Sequence, residues 1–310
     1  MEGLLPKIWD FLVLLFLFMK DIFVAICKVV VPAKFRKKSI SGQTVLVTGA
    51  GSGIGRLMAV RFATQGCNLV IWDINKEGLE ETAKFIQTFG GRVSSYICDV
   101  SKRETIYLVA AKVKVEVGDV DILVNNAGIV TGKSFMECQD TQILRTFDVN
   151  ALAHFWTVKS FLPAMLFRNQ GHIVTIASMA GIVGNNKLAD YCSSKFAALG
   201  FAESLREELK TMGKGGVKTT VICPSLIRTG MFKGFNLKNS WALPDLEPEY
   251  VADKILEAIL TNQEILLMPR VMYLAVIIKW VFPIRCASRI LDFLGSNRGM
   301  ENFVGRAKKE

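Results

Sequence analysis

Metal-binding and disulfide patterns are what this chain most clearly lacks. It has only two histidines, His154 and His172, and its seven cysteines never form a C-x-x-C pair. A Cys/His metal site is not expected, and the scattered, odd-numbered thiols read as small hydrophobes in a reducing compartment. Net charge is also missing from the middle of the chain, where residues 42–264 hold 23 basic and 22 acidic groups. That balance excludes the basic body expected of an enzyme acting on nucleic acid. No internal repeat and no low-complexity segment is visible, which excludes solenoid architectures. Nor does any charge-free apolar run reach the roughly 20 residues that a spanning helix needs.

What is present is oil, concentrated at the two ends. The 310 residues are 51% hydrophobic with a mean hydropathy of +0.33. That is enough for one large core and more than a soluble enzyme usually carries. Residues 1–41 hold seven basic and three acidic groups, and residues 265–310 hold eight and three. Basic groups beside the oiliest stretches favour an anionic membrane surface as partner. Within Ile8 to Val31 the charges Asp10, Lys20, Asp21 and Lys28 fall in an arc of about 100° on a helical wheel. A helix lying in or dipping into one leaflet fits that pattern best, with a spanning helix and a helix packed on the body as alternatives. A cleavable signal peptide is not expected, because the charges interrupt the run and no clear small-x-small site follows. Pro32 and the cluster Lys34, Arg36, Lys37 and Lys38 predict a cytosolic body.

From Gly42 onward, short β-rich runs alternate with stretches of helical period. The strands are expected at Thr44–Thr48, Leu69–Trp72, Val93–Cys98, Ile122–Val124, Ile173–Ala177 and Thr219–Cys223. The order predicts a doubly wound α/β domain with a parallel sheet, over 42–268, whose ligands bind beyond the carboxyl ends of the strands. The first strand ends in Thr48-Gly49-Ala50-Gly51-Ser52-Gly53-Ile54-Gly55. Glycines there let the chain turn tightly and let a pyrophosphate approach a helix N-terminus, which makes this Rossmann-type turn a dinucleotide site. Asp73 ends the second strand, where a carboxylate can bond the ribose hydroxyls and repel a 2′-phosphate. NAD is therefore preferred over NADP, with Arg56 as the one nearby cation that could favour a phosphate.

The fifth strand runs into Ser178, and thirteen residues later Tyr191 and Lys195 stand at i and i+4 on one helix face. Removing a hydride from an alcohol also requires taking its proton. A free tyrosine, with a pKa of about 10, is a poor base at neutral pH. A neighbouring ammonium and an oxidised nicotinamide are expected to lower that value, while Ser178 holds the substrate oxygen.

These residues resemble the short-chain dehydrogenase/reductase superfamily over about 42–268. The match is carried by Thr48–Gly55, Asp73, Asp99-Val100, Asn125–Gly128, Asn150, Ser178, Tyr191-x-x-x-Lys195 and Pro224–Thr229. The resemblance implies that Asp99 and Val100 contact the adenine, and that Asn126, Ala127 and Gly128 lie beside the cofactor. It further implies that Asn150 holds a water in a relay to Lys195, that Lys195 binds the nicotinamide ribose, and that Thr229 binds the carboxamide. Ser225 departs from the pattern, replacing the glycine that commonly follows this proline, and is expected to stiffen the loop without touching the chemistry.

Trp72–Gly78, Glu116–Val120 and Thr229–Phe232 narrow the resemblance to family 16C, which contains retinol dehydrogenases and lipid-droplet 17β-hydroxysteroid dehydrogenases. It implies oxidation of all-trans-retinol, or of a 17β-hydroxysteroid or other lipid alcohol, at the endoplasmic reticulum membrane or a lipid droplet. A homodimer or a heteromer with a relative is the expected assembly. A membrane scaffold with a vestigial site is the reading from another class, and the intact Asn150, Ser178, Tyr191 and Lys195 oppose it. In the extension 269–310, the eight apolar residues Val271–Ile278 are too few to span a bilayer. They leave a flap over the substrate cleft, a second membrane contact and a plain core helix as open readings. Val183–Leu188 and Met231–Leu243 are expected to line the substrate pocket.

Overall fold

The computed structural model describes residues 4–305. Contacts divide the chain into two compact units, 1–39 and 40–310. The first is dominated by α1 (Leu4–Val30), a helix of 27 residues, followed by a short 3₁₀ turn at Ala33–Phe35. Trp9, Phe11, Leu14, Phe16, Phe18 and Phe23 on α1 are exposed. No helix among the described residues is long and apolar enough to cross a membrane. Lys7, Asp10, Lys20 and Asp21 interrupt α1.

The second unit is a seven-stranded sheet, all parallel. Its strands are β1 (Thr44–Thr48), β2 (Asn68–Asp73), β3 (Val93–Ile97), β4 (Ile122–Asn125), β5 (Gly171–Ile176), β6 (Val217–Pro224) and β7 (Ile265–Met268), in the order β3-β2-β1-β4-β5-β6-β7. The connecting helices are α2 (Gly53–Thr64), α3 (Lys76–Gln87), α4 (Arg103–Glu116), α5 (Asp140–Phe147), α6 (Ala153–Arg168), α7 (Ala189–Thr211) and α8 (Pro248–Leu260). Two helices of the extension, α9 (Met272–Val281) and α10 (Ile284–Leu294), follow β7.

Burial on both faces explains why these strands read as continuous apolar runs rather than as alternating ones. On β1, Val45 and Val47 pack with Met58, Phe62, Val251 and Ile255 on one face. Leu46, between them, packs with Ile106, Val109, Phe161 and Leu205 on the other. The chain reverses its winding direction between β1 and β4, which opens a crevice at their carboxyl ends.

The expected strands are all present, with ends moved by one or two residues. β7 was not foreseen. β7 is only four residues long, and its apolar run cannot be told from a helix by period alone. The described part of the extension, 269–305, falls in the same compact unit as the sheet.

Candidate active site

The turn after β1 is built on close approaches that only glycine permits. Gly49 has φ +68°, and a Cβ there would stand 2.9 Å from Cα of Ala127. A Cβ on Gly55 would stand 2.0 Å from the Gly49 carbonyl oxygen. Ser52 precedes α2 without a side-chain cap, so the first-turn N–H groups of that helix remain available to an anion.

Asn126 ties the turn to β4, donating to the carbonyls of Thr48 at 2.9 Å and Gly49 at 3.2 Å. Thr48 does not line the crevice as expected. Its side chain is buried, and its Oγ1 accepts from the N–H groups of Asn126 and Ala127, each at 3.0 Å. The strand-end hydroxyl braces the two walls and cannot at the same time face a ligand.

A cavity of about 220 Å³ lies over this turn. Gly49, Ser52, Gly53, Ile54, Gly55, Asp73, Asp99, Val100, Asn126, Ala127, Gly128, Ser178, Tyr191, Lys195, Pro224 and Thr229 line it. The structure thus brings together every anticipated site residue except Thr48 and Asn150. Ile74, Ile129, Arg145 and Ile176 also line it and had not been singled out as site residues, while Met231 and Phe232, expected at the substrate pocket, line it too. The cradle of glycines and open helix N–H groups fits a nicotinamide dinucleotide.

Asp73 is held by its neighbours. Its Oδ2 accepts from the N–H of Gly51 at 2.8 Å and its Oδ1 from that of Asn75 at 2.9 Å. Arg56 lies outside the cavity lining, with its guanidinium bonded to the Gly51 carbonyl, Thr82 and Glu81 at 2.6, 3.0 and 2.8 Å.

Asn150 sits on a π-helical turn, Asp148–Leu152, between α5 and α6. Such a turn re-aims side chains by one position and recurs at functional sites. The Asn150 amide donates to the Ile129 carbonyl at 2.9 Å and to Ser194 Oγ at 3.0 Å, while its Oδ1 accepts from the Ile129 N–H at 2.9 Å. It therefore clamps the loop after β4 onto the Tyr191–Lys195 turn of α7 from behind the cavity wall. Its Oδ1 and Lys195 Nζ still converge on Gly128, where a Cβ would lie 3.4 and 3.7 Å from them.

Tyr191 and Lys195 are both buried on α7. Lys195 Nζ donates to the Ile176 carbonyl at 2.9 Å and lies 5.9 Å from the centre of the Tyr191 ring. Burial pushes its pKa down to about 8. Ser178, whose Oγ accepts from the Ala180 N–H at 3.1 Å, acts on the Tyr191 hydroxyl to lower its pKa. Burial raises the Tyr191 pKa and outweighs the lowering by Ser178, because this cavity desolvates the tyrosinate along with the ammonium. His154 is fully buried, with both ring nitrogens lacking a partner among the described residues. Burial, and next Lys195, lower its pKa to about 3, so it stays neutral.

A second cavity, of about 370 Å³, opens beside the first. Val183, Leu188, Phe232, Phe235, Leu237 and Leu243 line it from the body, as the segments around 183–188 and 231–243 had suggested. Its other wall is Met272, Leu274, Ala275 and Ile278 of α9 with Ile290, Leu291 and Leu294 of α10. The extension therefore forms a wall of the pocket. Lys279 anchors that wall, donating from Nζ to the Ile182 carbonyl just beyond Ser178 and lying over the Phe196 and Trp280 rings at 4.9 and 4.8 Å.

Residues 43–240 match the family model described as short chain dehydrogenase. The chain belongs to the short-chain dehydrogenase family. It is 51% identical to epidermal retinol dehydrogenase 2 of Mus musculus over 274 residues, covering 88% of this chain and 89% of the relative. Among solved structures it is similar to a Burkholderia phymatum short chain dehydrogenase/reductase in complex with NAD, with TM-score 0.69 and 27% identity, covering 76% of this chain and 92% of that one. It is also similar to a metagenomic short-chain oxidoreductase in complex with NADP, with TM-score 0.64 and 29% identity, covering 74% and 98%. As a short-chain dehydrogenase, this chain is an oxidoreductase acting on CH–OH donors.

Proposed function

We propose that this chain oxidises a lipophilic alcohol with NAD, and that all-trans-retinol is converted to all-trans-retinal. The observation that carries the reading is the apolar cavity of about 370 Å³ that meets the dinucleotide cavity at Ser178 and Tyr191. A long hydrocarbon fits such a chamber with its hydroxyl at the polar end. The retinol dehydrogenase relative supports the substrate class.

When bound, the oxidised dinucleotide supplies the hydride acceptor. The chain's own residues hold and move the proton. Ser178 donates a hydrogen bond to the carbinol oxygen and orients it toward Tyr191. The Tyr191 oxygen takes the hydroxyl proton as the carbonyl forms, and the Lys195 ammonium with the oxidised nicotinamide nearby would offset the burial that disfavours tyrosinate. Asn150 keeps the loops on either side of Lys195 in register. Asp73 favours NAD, since a 2′-phosphate would stand beside its carboxylate while Arg56 is committed elsewhere.

The reading includes attachment to the cytosolic face of the endoplasmic reticulum or a lipid droplet through the oily α1, and a dimer with itself or a relative. The test incubates membranes carrying the protein with retinol or estradiol and either NAD or NADP, with Tyr191→Phe as control. Retinal formed with NAD, and lost in the variant by about 10²–10⁴-fold, is the expected result. Turnover of estradiol alone, or with NADP alone, would overturn the substrate or the cofactor.

A further inference from the structure

Four residues line both cavities: Ser178, Tyr191, Phe232 and Ser225. The first two carry the chemistry, and Phe232 packs edge-on against the Tyr191 ring with centroids 5.6 Å apart. Ser225 has no part in the mechanism above.

Its backbone is tied to the edge of the sheet. It follows Pro224 at the end of β6, and its N–H donates to the Met268 carbonyl of β7 at 2.8 Å. Its hydroxyl oxygen is buried and has no hydrogen-bond partner among the described residues. Buried hydroxyls are nearly always bonded, because desolvating one without compensation destabilises the fold. A glycine at this position would leave no such group. Ser178, in contrast, is already engaged by the Ala180 N–H and the Pro224 carbonyl.

We propose that the Ser225 hydroxyl hydrogen-bonds the oxygen of the bound alcohol and is a third hydroxyl, beside Ser178 and Tyr191, that positions the carbinol at the junction of the two cavities. This rests on the reading of the site as a lipid-alcohol dehydrogenase. Donation from Ser225 becomes stronger as the oxygen loses its proton and gains negative charge. A hydroxyl left without a partner in the free protein thus gains one in the complex.

The test uses the full-length, membrane-embedded protein and whichever of retinol, estradiol or a long-chain primary alcohol the wild type oxidises. Ser225→Ala removes the oxygen and keeps Cβ, Ser225→Gly removes both, and Ser225→Thr keeps a hydroxyl. Alcohol KM and kcat are measured for each, with the NAD dissociation constant from quenching of protein fluorescence and the Tm without ligand. Ser225→Ala and Ser225→Gly are expected to lower kcat/KM about tenfold, with NAD affinity within about twofold of the wild type. Ser225→Thr restores most of the loss, and the Tm of Ser225→Ala does not fall. An unchanged kcat/KM in Ser225→Ala overturns the proposal, and so does a loss carried by NAD affinity, which would assign the hydroxyl to the dinucleotide. A wild type that oxidises none of the three alcohols overturns the lipid-alcohol reading itself, an outcome distinct from equal activity of wild type and variant.

Discussion

At the scale of single residues, the site is made of groups held in place by bonds unrelated to ligand. Asp73 shows this, because the carboxylate that faces the cavity also accepts two backbone N–H bonds that close the turns on either side of it. Its discrimination against a 2′-phosphate depends on charge, whereas its role in the turns depends on acceptor atoms. Asp73→Asn removes the charge and keeps one acceptor. We expect it to reduce the preference for NAD over NADP by about tenfold, read as the ratio of the two dissociation constants. An unchanged ratio would leave Asp73 as a turn-forming residue only. Tyr191, Lys195 and Ser178 were legible from spacing, because i and i+4 on a helix must share a face. The raised Tyr191 pKa was not legible, since desolvation depends on how closely Phe232 and the cavity walls approach. Thr48 was misplaced for a related reason: a motif names a residue, but only its bonds say which way the side chain turns.

Among the elements, the strands and the Gly-rich turn could be anticipated, while the helices of the extension could not be assigned a place. Val271–Ile278 is apolar enough for a core helix, a flap or a membrane contact, and hydropathy alone does not choose. In the structure α9 buries only Met272 fully, yet presents Leu274, Ala275 and Ile278 to the cavity. Trp280, Val281, Phe282 and Ile284 at the bend between α9 and α10 remain exposed. The wall is held by the Lys279 contact to the Ile182 carbonyl, by the Tyr273 hydroxyl on the Ile265 carbonyl at 3.3 Å and by Asn239, which donates to the Phe293 carbonyl at 2.6 Å. Ala275→Trp places a large ring in the cavity from a helix with little other burial. We expect KM for a long lipid alcohol to rise at least about tenfold, with NAD affinity unchanged because Ala275 lies outside the dinucleotide cavity. Equal KM values would mean that the substrate occupies another space.

On the scale of the whole molecule, the division into residues 1–39 and 40–310 separates an exposed oily helix from an enzyme that buries both faces of its sheet. Under the proposed attachment, deletion of residues 1–31 moves the protein from the membrane pellet to the soluble fraction, checked by carbonate extraction and blotting. Retention in the pellet would show that α1 is not the anchor. The deletion leaves the cavity walls intact, so NAD affinity is expected to persist. Local pattern was sufficient for the class of fold, the glycine turn, Asp73 and the Ser178–Tyr191–Lys195 set, because each depends on backbone period or on residues close in the chain. The charge and oil at both ends were equally plain in composition. Tertiary structure alone decided that residues about 100 apart, Lys279 and Ile182, close one pocket wall. It alone placed Asn150 behind the wall and left the Ser225 hydroxyl without a partner at the cavity junction. The physical reason is that burial and hydrogen-bond satisfaction belong to the packed chain, and no local window of sequence contains the atoms that supply them.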